Sequence, residues 1–306
     1  MDTSFRKLAC VTVTYQPDPM ALKAQLQALP ADSLKIVVDN ASAAECVEML
    51  VGLEMTVPNL HLLRNADNLG LGAALNQGVR AARKFDPEIE FVLLLDQDSE
   101  PLPGSIKALL FTFASMESSG RAVGAVGPLL RDAATGLTHG FHQCTRWRWK
   151  RVYPSNADQA SIPCANLNGS GTLMRIKQFL ELGGLREDFF IDHVDTEWSF
   201  RLLAHGLELW GVPQALFLHS MGQASIKYWL FCWRIWPSRA PARHYFLFRN
   251  AVRLILDRNV LTVWKFWAVL KLCLTAFVHA LFDHARVEQL HNMARGVRDG
   301  FLGEQP

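Results

Sequence analysis

The sequence predicts an α/β fold: a mostly parallel central sheet flanked by helices, followed by a C-terminal helical extension. Three observations carry that expectation. Short apolar runs alternate with stretches of helical periodicity, the pattern of a doubly wound sheet. The apolar runs lack polar alternation, which fits strands buried on both faces. Several of them also end abruptly in carboxylates or a histidine. In open α/β sheets, the carboxyl edge of the strands is where ligands bind.

The elements follow in order. Residues 8–15 are β-rich and end at Gln16-Pro17-Asp18-Pro19. Residues 20–29 have helical spacing closed by Pro30, and 34–38 form a second strand running into Asp39-Asn40-Ala41-Ser42. A helix over about 43–53, a strand over 60–63, a Gly/Asn loop over 65–72 and a helix over 73–85 come next. The loop carries Gly70-Leu71-Gly72, but the next glycine is Gly78 and no G-K-[ST] follows. It is therefore neither a dinucleotide fingerprint nor a P-loop. What remains is a glycine turn entering a helix, whose free N–H groups allow close approach of a nucleotide or a neighbouring strand.

The run Phe91-Val92-Leu93-Leu94-Leu95 leads straight into Asp96-Gln97-Asp98-Ser99. Desolvating unpaired carboxylates is costly, so both belong where the strand emerges into a cleft. At i and i+2 they point to one side. No Lys or Arg lies in the preceding residues 86–95 to neutralise them. This suits a hard divalent cation that also holds a phosphate; the plain alternative is an acidic turn ending a strand. A helix over about 104–116 and a strand over 122–130 follow, then an aromatic, basic stretch at 139–150 and a small-residue segment at 166–174. A helix over 176–182 is stopped by Gly183-Gly184. Asp192-His193-Val194-Asp195-Thr196-Glu197 forms a second acidic cluster at the start of a helix running to about His205. Carboxylates there favour the helix dipole, or supply a partly desolvated general base near the metal. The strand 216–219 delivers His219 at its end, as a ligand or a structural histidine.

Half of the 306 residues are hydrophobic and a fifth are charged, enough for a sizeable core and against global disorder. The net charge of +2 hides an asymmetry. Residues 226–306 hold 12 Lys+Arg against 5 Asp+Glu and five of the nine tryptophans; residues 1–225 hold 19 against 24. A basic, Trp-rich end suggests an anionic surface as partner. The six cysteines are scattered without C-x-x-C or zinc spacing, which reads as reduced thiols in a cytosolic compartment. The N-terminus shows no signal-peptide pattern.

Taken together and in order, these motifs resemble family 2 inverting glycosyltransferases of the GT-A fold, a Rossmann-like sheet. Within them the likeness is to bacterial rhamnosyltransferases that act on lipid-linked or lipid acceptors. The matching residues span about the first 250 positions: Val11-Thr12-Val13-Thr14-Tyr15 with Pro17, Val38-Asp39-Asn40-Ala41-Ser42, Asn68-x-Gly70 with Asn76-x-Gly78, and Leu95-Asp96-Gln97-Asp98-Ser99. After them come Asn168-Gly169-Ser170-Gly171, Phe190 to Glu197, His219, and Tyr245 with Arg249-Asn250. The resemblance implies that Asp39, with Asn40, contacts the pyrimidine or ribose of the donor. It implies that Asn68, Gly70 and Asn76 border the nucleotide and that Asp96 lies beside the donor ribose or sugar. Asp98 would bind Mg²⁺ or Mn²⁺, His219 would complete the metal site, and Arg249 would neutralise the leaving diphosphate. Asp195 would be the base that takes the acceptor's proton, with Gly169, Ser170, Asp192 and Glu197 in the acceptor region. Val194 stands where the broad family usually has Glu before the base. That form resembles the rhamnosyltransferase branch and leaves open how Asp192 and Glu197 share the acidic work.

The expected organisation is a glycosyltransferase domain over 1–225 and an amphipathic helical segment over 226–306 that associates with a membrane or a second copy of the chain. Residues 262–282 are as long as a membrane span, yet Lys265, Lys271 and His279 interrupt them. That favours a helix lying in the interface over one crossing the bilayer; packing on protein is the alternative. The expected reaction moves a sugar, L-rhamnose from dTDP-L-rhamnose, onto a hydroxyl of a lipid-linked saccharide or lipid. The expected location is the cytoplasmic face of the bacterial inner membrane. A UDP-hexose or UDP-N-acetylhexosamine donor is the alternative within the class. A non-catalytic nucleotide-sugar-binding protein is the alternative outside it, since fold does not fix function. Nucleic acid is not an expected partner, because the basic residues of the tail are interleaved with aliphatics.

Overall fold

A computed structural model of the chain describes residues 5–154, 160–219, 225–230, 232–237 and 239–303. The first four residues, part of the stretch read as lacking a signal peptide, lie outside them. Four parallel strands form the first half of the sheet: β1 (Leu8–Thr14), β2 (Leu34–Asp39), β3 (Leu60–Arg64) and β4 (Phe91–Asp96). They are linked by α1 (Pro19–Ala28), α2 (Ala44–Thr56) and α3 (Leu71–Phe85). Side chains alternate along a strand, and here both sets are buried. Ala9, Val11 and Val13 of β1 pack with α3, while Leu8 and Cys10 pack with Leu22 and Leu26 of α1 and Leu50 of α2. That double burial explains why the strands read as continuous apolar runs. Gly78 brings α3 against the sheet; a Cβ there would come within 2.4 Å of Val11.

After β4 come β5 (Ser99–Pro101), α4 (Ser105–Ser118), β6 (Val123–Asp132), β7 (Thr138–His139), β8 (Phe141–Cys144), β9 (Trp149–Val152), β10 (Ile162–Cys164) and β11 (Thr172–Arg175). Next are α5 (Ile176–Glu181), α6 (Val194–Ala204) and β12 (Glu208–His219). The main sheet runs β10-β12-β6-β11-β4-β1-β2-β3, with β5 on β12 and β7 on β6. β11 is antiparallel to both its neighbours, and β12 is parallel to β6. The predicted strand at 216–219 is thus the last third of a longer one. Pro213 hides its continuity: the pairing of β12 with β6 shifts register between Val212 and Leu216, a bulge that accommodates a residue without an N–H. The stretch 139–150 contains β8 and the start of β9, an antiparallel pair too short to show a period.

The C-terminal part is not helical from its start. β13 (Ser225–Leu230) and β14 (Cys232–Pro237) pair antiparallel, in keeping with their β-branched and aromatic composition. Helices begin at Pro241: α7 (Pro241–Leu256), α8 (Thr262–Phe282) and α9 (Arg286–Leu302). α7 and α9 meet closely because Gly296 and Gly300 lack a Cβ; one at Gly296 would lie 2.4 Å from the Tyr245 carbonyl. Tyr245 also donates to Asp299 at 3.0 Å. Cys10, Cys46, Cys144, Cys164 and Cys273 are free thiols.

Candidate active site

β4 and β12 end at the same edge of the sheet. Residues Ser99–Pro101 fold back onto β12 and set Ser99 opposite His219. This brings Asp96, Asp98 and His219 together, with one potential ligand atom from each lying within 4.8 Å of the others. His219 Nδ1 is 3.4 Å from Asp98 Oδ1 and shares a 2.7 Å hydrogen bond with Ser99 Oγ. Ser170 links the set to the strand end: its hydroxyl donates to Ser99 Oγ at 2.6 Å and accepts from the Asp96 N–H at 3.1 Å. From the opposite side, Gln25 donates to the Asp96 and Ser99 carbonyls, both at 2.6 Å. Two carboxylates and an imidazole on a braced turn suit a divalent cation.

Asp195 stands in the first turn of α6, near enough for its charge to act on Asp96. Its carboxylate accepts from the Thr196 N–H at 2.7 Å and the Gly169 N–H at 3.2 Å. Burial pushes its pKa up and these two N–H donors pull it back, leaving it above the usual aspartate value. Asp96 is pushed up to about 6, chiefly by burial; His219 opposes the shift, and the charges of Asp98 and Asp195 add to it. The metal-type cluster and Asp195 are therefore electrostatic neighbours.

The loop leading into α6 is strained. Phe190, Asp192 and His193 all have positive φ, between 60° and 62°, a region costly for residues with a Cβ. α7 holds it there. The Asn250 amide donates to the carbonyls of Phe189, Ile191 and Asp192 at 2.8 to 2.9 Å. Arg249 donates to those of Asp188 and Phe189 at 2.5 and 3.3 Å. On the other side the Leu71 N–H donates to the Phe190 carbonyl at 2.5 Å. Gly70, with φ +82°, makes that approach possible, since a Cβ would lie 2.7 Å from Phe190. Gly70→Ala is accordingly expected to lower stability by about 1–3 kcal/mol, read as a lowered denaturation midpoint; an unchanged midpoint would mean that the two loops separate freely.

The remaining predicted residues divide by what their side chains touch. Asp39 is buried at the end of β2, accepting from Thr14 Oγ1 and the Ser42 N–H. Asn40 knots the glycine loop: it donates to Asn68 Oδ1 at 2.8 Å and accepts from Asn65 and the Leu69 N–H. Asn68 in turn accepts from the Gly70 N–H. Asn76 points away from that loop; it exchanges hydrogen bonds with Leu185 N–H and C=O and so ties α3 to the segment after α5. Both Glu197 oxygens accept from Arg201, at 3.0 and 2.5 Å, so it is not brought to the cluster. Arg249 is fully buried (0 % exposed), and its guanidinium donates to carbonyls of the strained loop. Gly169 and Ser170 adjoin Asp195 and Asp96, and Asp192 is paired with Arg243. The sequence reading missed Gln25 and the arginines at 239 and 243. Gln25 left a signal: it sits with Leu22 and Leu26 on the buried face of α1, where an amide needs a buried partner.

Comparison with known proteins bears on the family and the fold. The chain is 27 % identical over 251 residues to the dTDP-rhamnosyl transferase RfbF of Shigella flexneri, covering 82 % of this chain and 80 % of that protein. It is 29 % identical over 244 residues to an N-acetylglucosaminyl-diphospho-decaprenol L-rhamnosyltransferase of Mycobacterium tuberculosis (strain CDC 1551 / Oshkosh), covering 69 % of this chain and 75 % of that one. Among solved structures, GalNAc-T7 with UDP, GalNAc and Mn²⁺ superposes with a TM-score of 0.60 at 15 % identity over 98 % of this chain; the match spans 57 % of that protein. The mannosyltransferase PcManGT of Pyrobaculum calidifontis, with GDP-Man and Mn²⁺, gives 0.55 at 16 % identity, covering 98 % of this chain and 76 % of that one. These two likenesses concern the fold, which is GT-A. The model of the family described as "Glycosyl transferase family 2" matches residues 25–178, from α1 through the Asp96/Asp98 turn to the Ser170 segment. The chain belongs to glycosyl transferase family 2, and its sequence is rhamnosyltransferase-like.

Proposed function

We propose that the protein is a metal-dependent, inverting transferase that moves L-rhamnose from dTDP-L-rhamnose onto a hydroxyl of a lipid-linked saccharide or lipid acceptor. The observation that carries this reading is the cluster of Asp96, Asp98 and His219, with Asp195 near enough for its charge to act on Asp96. Asp98 and His219 would hold Mg²⁺ or Mn²⁺, with Asp96 beside the donor ribose or sugar. When bound, the cation would offset the negative charge on the departing diphosphate. Asp195, fixed by two backbone N–H groups, would take the proton from the acceptor hydroxyl. The hydroxyl oxygen then bonds to the anomeric carbon as the bond to the diphosphate oxygen breaks, and in-line displacement inverts that centre. Asp39, with the loop knotted by Asn40, Asn68 and Gly70, would border the nucleotide. Asn76 and Arg249 would act by positioning α3 and the 186–193 loop.

The raised pKa of Asp195 predicts a pH dependence. A base must be ionised to work, so activity falls as pH drops through its pKa. The acidic limb of kcat/KM is expected above the ordinary aspartate range, and the limb should vanish in a variant lacking this carboxylate. A profile flat from pH 7 to pH 4 would remove Asp195 from the role.

Attachment of the extension to the cytoplasmic face of the inner membrane belongs to the same proposal, as does the possibility of a homo-oligomer. Among the described residues, α8 is the helix long and apolar enough to cross a membrane. Only 17 % of its apolar window is buried, unlike a core helix. Its two lysines favour a position along the interface.

The direct test is thermal stabilisation by dTDP, UDP and GDP, each with and without Mn²⁺. A ligand that binds only the native state stabilises it by RT ln(1 + [L]/Kd). The expected result is a Mn²⁺-dependent shift larger for dTDP than for UDP. A preference for UDP would keep the transferase and overturn the donor. No shift with any nucleotide would favour a protein of this fold without transfer activity.

A further inference from the structure

Near Asp195, cations gather around one carboxylate. Asp192 Oδ2 lies 3.0 Å from Arg243 Nε, and Asp192 Oδ1 lies 3.8 Å from Arg239 Nη2. Lys271 of α8 joins them. Its ammonium is held below the usual lysine range by burial and by the positive charges of Arg239 and Arg151, with Asp192 opposing. Arg151 and Lys271 together also act on His142, and Lys271 and Arg239 act on His193. Burial and these neighbours push both imidazoles down to about 4, so neither adds charge near neutrality. Two arginines therefore pair with one carboxylate, and the charges of Lys271 and Arg151 lie close enough to act on the same group of residues. The four cations come from four places in the chain: β9, the lead-in to α7, α7 itself and α8.

Gathering like charges opposes folding unless an anion compensates them. Asp192 offsets one of the four. Its own neighbour is Asp195, whose pKa it raises, and Arg243 acts on Asp96 across the cleft. The surplus positive charge thus borders the place where an acceptor hydroxyl would meet the base. The donor diphosphate has its own partner in the metal-type cluster, so this surplus is set for a second anion.

The apolar surface next to it indicates what that anion is attached to. Trp264 turns inward on α8, edge-on to His193 and Phe200. Lys271 follows seven residues later, two turns along the same side. Around the helix from Lys271 runs a stripe of Phe266, Leu270, Leu274, Phe277 and Leu281, each 40 to 67 % exposed. Cations bordering an exposed apolar stripe match an amphiphile with an anionic head and a hydrocarbon tail.

We infer that Arg151, Arg239, Arg243 and Lys271 bind the phosphate or diphosphate group of the acceptor, whose hydrocarbon chain lies along the exposed stripe of α8. This rests on the transferase reading above and specifies its acceptor as an anionic lipid carrier. Such a head group would place the sugar next to it between the cations and Asp195.

The test uses the full chain and four probes: farnesyl diphosphate, farnesol, inorganic pyrophosphate and phosphatidylglycerol vesicles. Binding is followed by calorimetry, and the dTDP–Mn²⁺ thermal shift is measured in parallel. Farnesyl diphosphate is expected to bind, pyrophosphate to compete with it, and farnesol to bind at least tenfold more weakly. Lys271→Gln and Arg239→Gln should each weaken farnesyl diphosphate about tenfold, the scale of one charge-assisted hydrogen bond, and leave the dTDP–Mn²⁺ shift intact. No binding by the parent chain, equal binding by both variants, or farnesol binding as tightly as the diphosphate would each overturn the inference. So would loss of vesicle binding in the variants with farnesyl diphosphate unaffected, which would make the cluster a general membrane patch. Loss of the dTDP–Mn²⁺ shift in the variants would assign the cations to the donor or to the fold instead. Failure of that shift in the parent chain would count against the transferase reading itself, and so separates the two.

Discussion

Asp195→Asn is expected to keep metal-dependent nucleotide binding and to lose transfer by roughly 10²–10⁴, the usual contribution of a positioned general base. The substitution keeps the volume and replaces an acceptor-only carboxylate with an amide. The amide oxygen can still accept from the Thr196 or Gly169 N–H, which now meet Asp195 at 2.7 and 3.2 Å. The fold should therefore survive, and removing a buried charge that raises the pKa of Asp96 favours it. Single-turnover transfer separates binding from chemistry. Unchanged turnover in this variant would remove Asp195 from the reaction and turn attention to Asp192, three residues upstream.

Asp98→Ala has an equally large expected effect on a different observable. Its carboxylate is one of three ligand-type groups within 4.8 Å and is partly open to solvent. Without it the cluster keeps one carboxylate and one imidazole, too few oxygens for a hard cation. The Mn²⁺-dependent part of the dTDP thermal shift should vanish. At a ligand concentration 100 times Kd, that amounts to about 2.7 kcal/mol of lost stabilisation. Stability without ligand should stay within about 0.5 kcal/mol of the parent, the range for a partly exposed position. Metal-independent transfer by the parent chain would refute the role, whatever the variant does.

Much of the sheet was legible in the sequence because its strands carry their own signal. Double-sided burial makes the runs at 8–14, 34–39 and 91–96 largely apolar, and a carboxylate at Asp39 and Asp96 closes the second and third of them. Asp39, Asp96 and Asp98 were found in that way, and the structure places the three at one edge. β8, β9 and β10 were not found. Strands of three or four residues are shorter than one reading of either period, and their stability comes from neighbours distant in sequence. β13 and β14 were read as part of a helical segment, although their aromatic and β-branched content pointed to strand.

The sequence alone determined the layered α/β sheet, the edge that bears the acidic residues and the family, because strand burial, turn chemistry and motif order are local properties. Only the tertiary structure decided which polar residues meet. Asn76, Glu197 and Arg249 had the composition of site residues, yet their side chains are occupied by Leu185, Arg201 and the carbonyls of Asp188 and Phe189. Arg239 and Arg243 gave no local sign that they pair with Asp192. Hydrogen bonds and ion pairs are short-ranged, so a side chain's role depends on what packing sets within a few ångströms of it. For residues far apart in sequence, that is fixed by how α7 and α8 dock on the sheet.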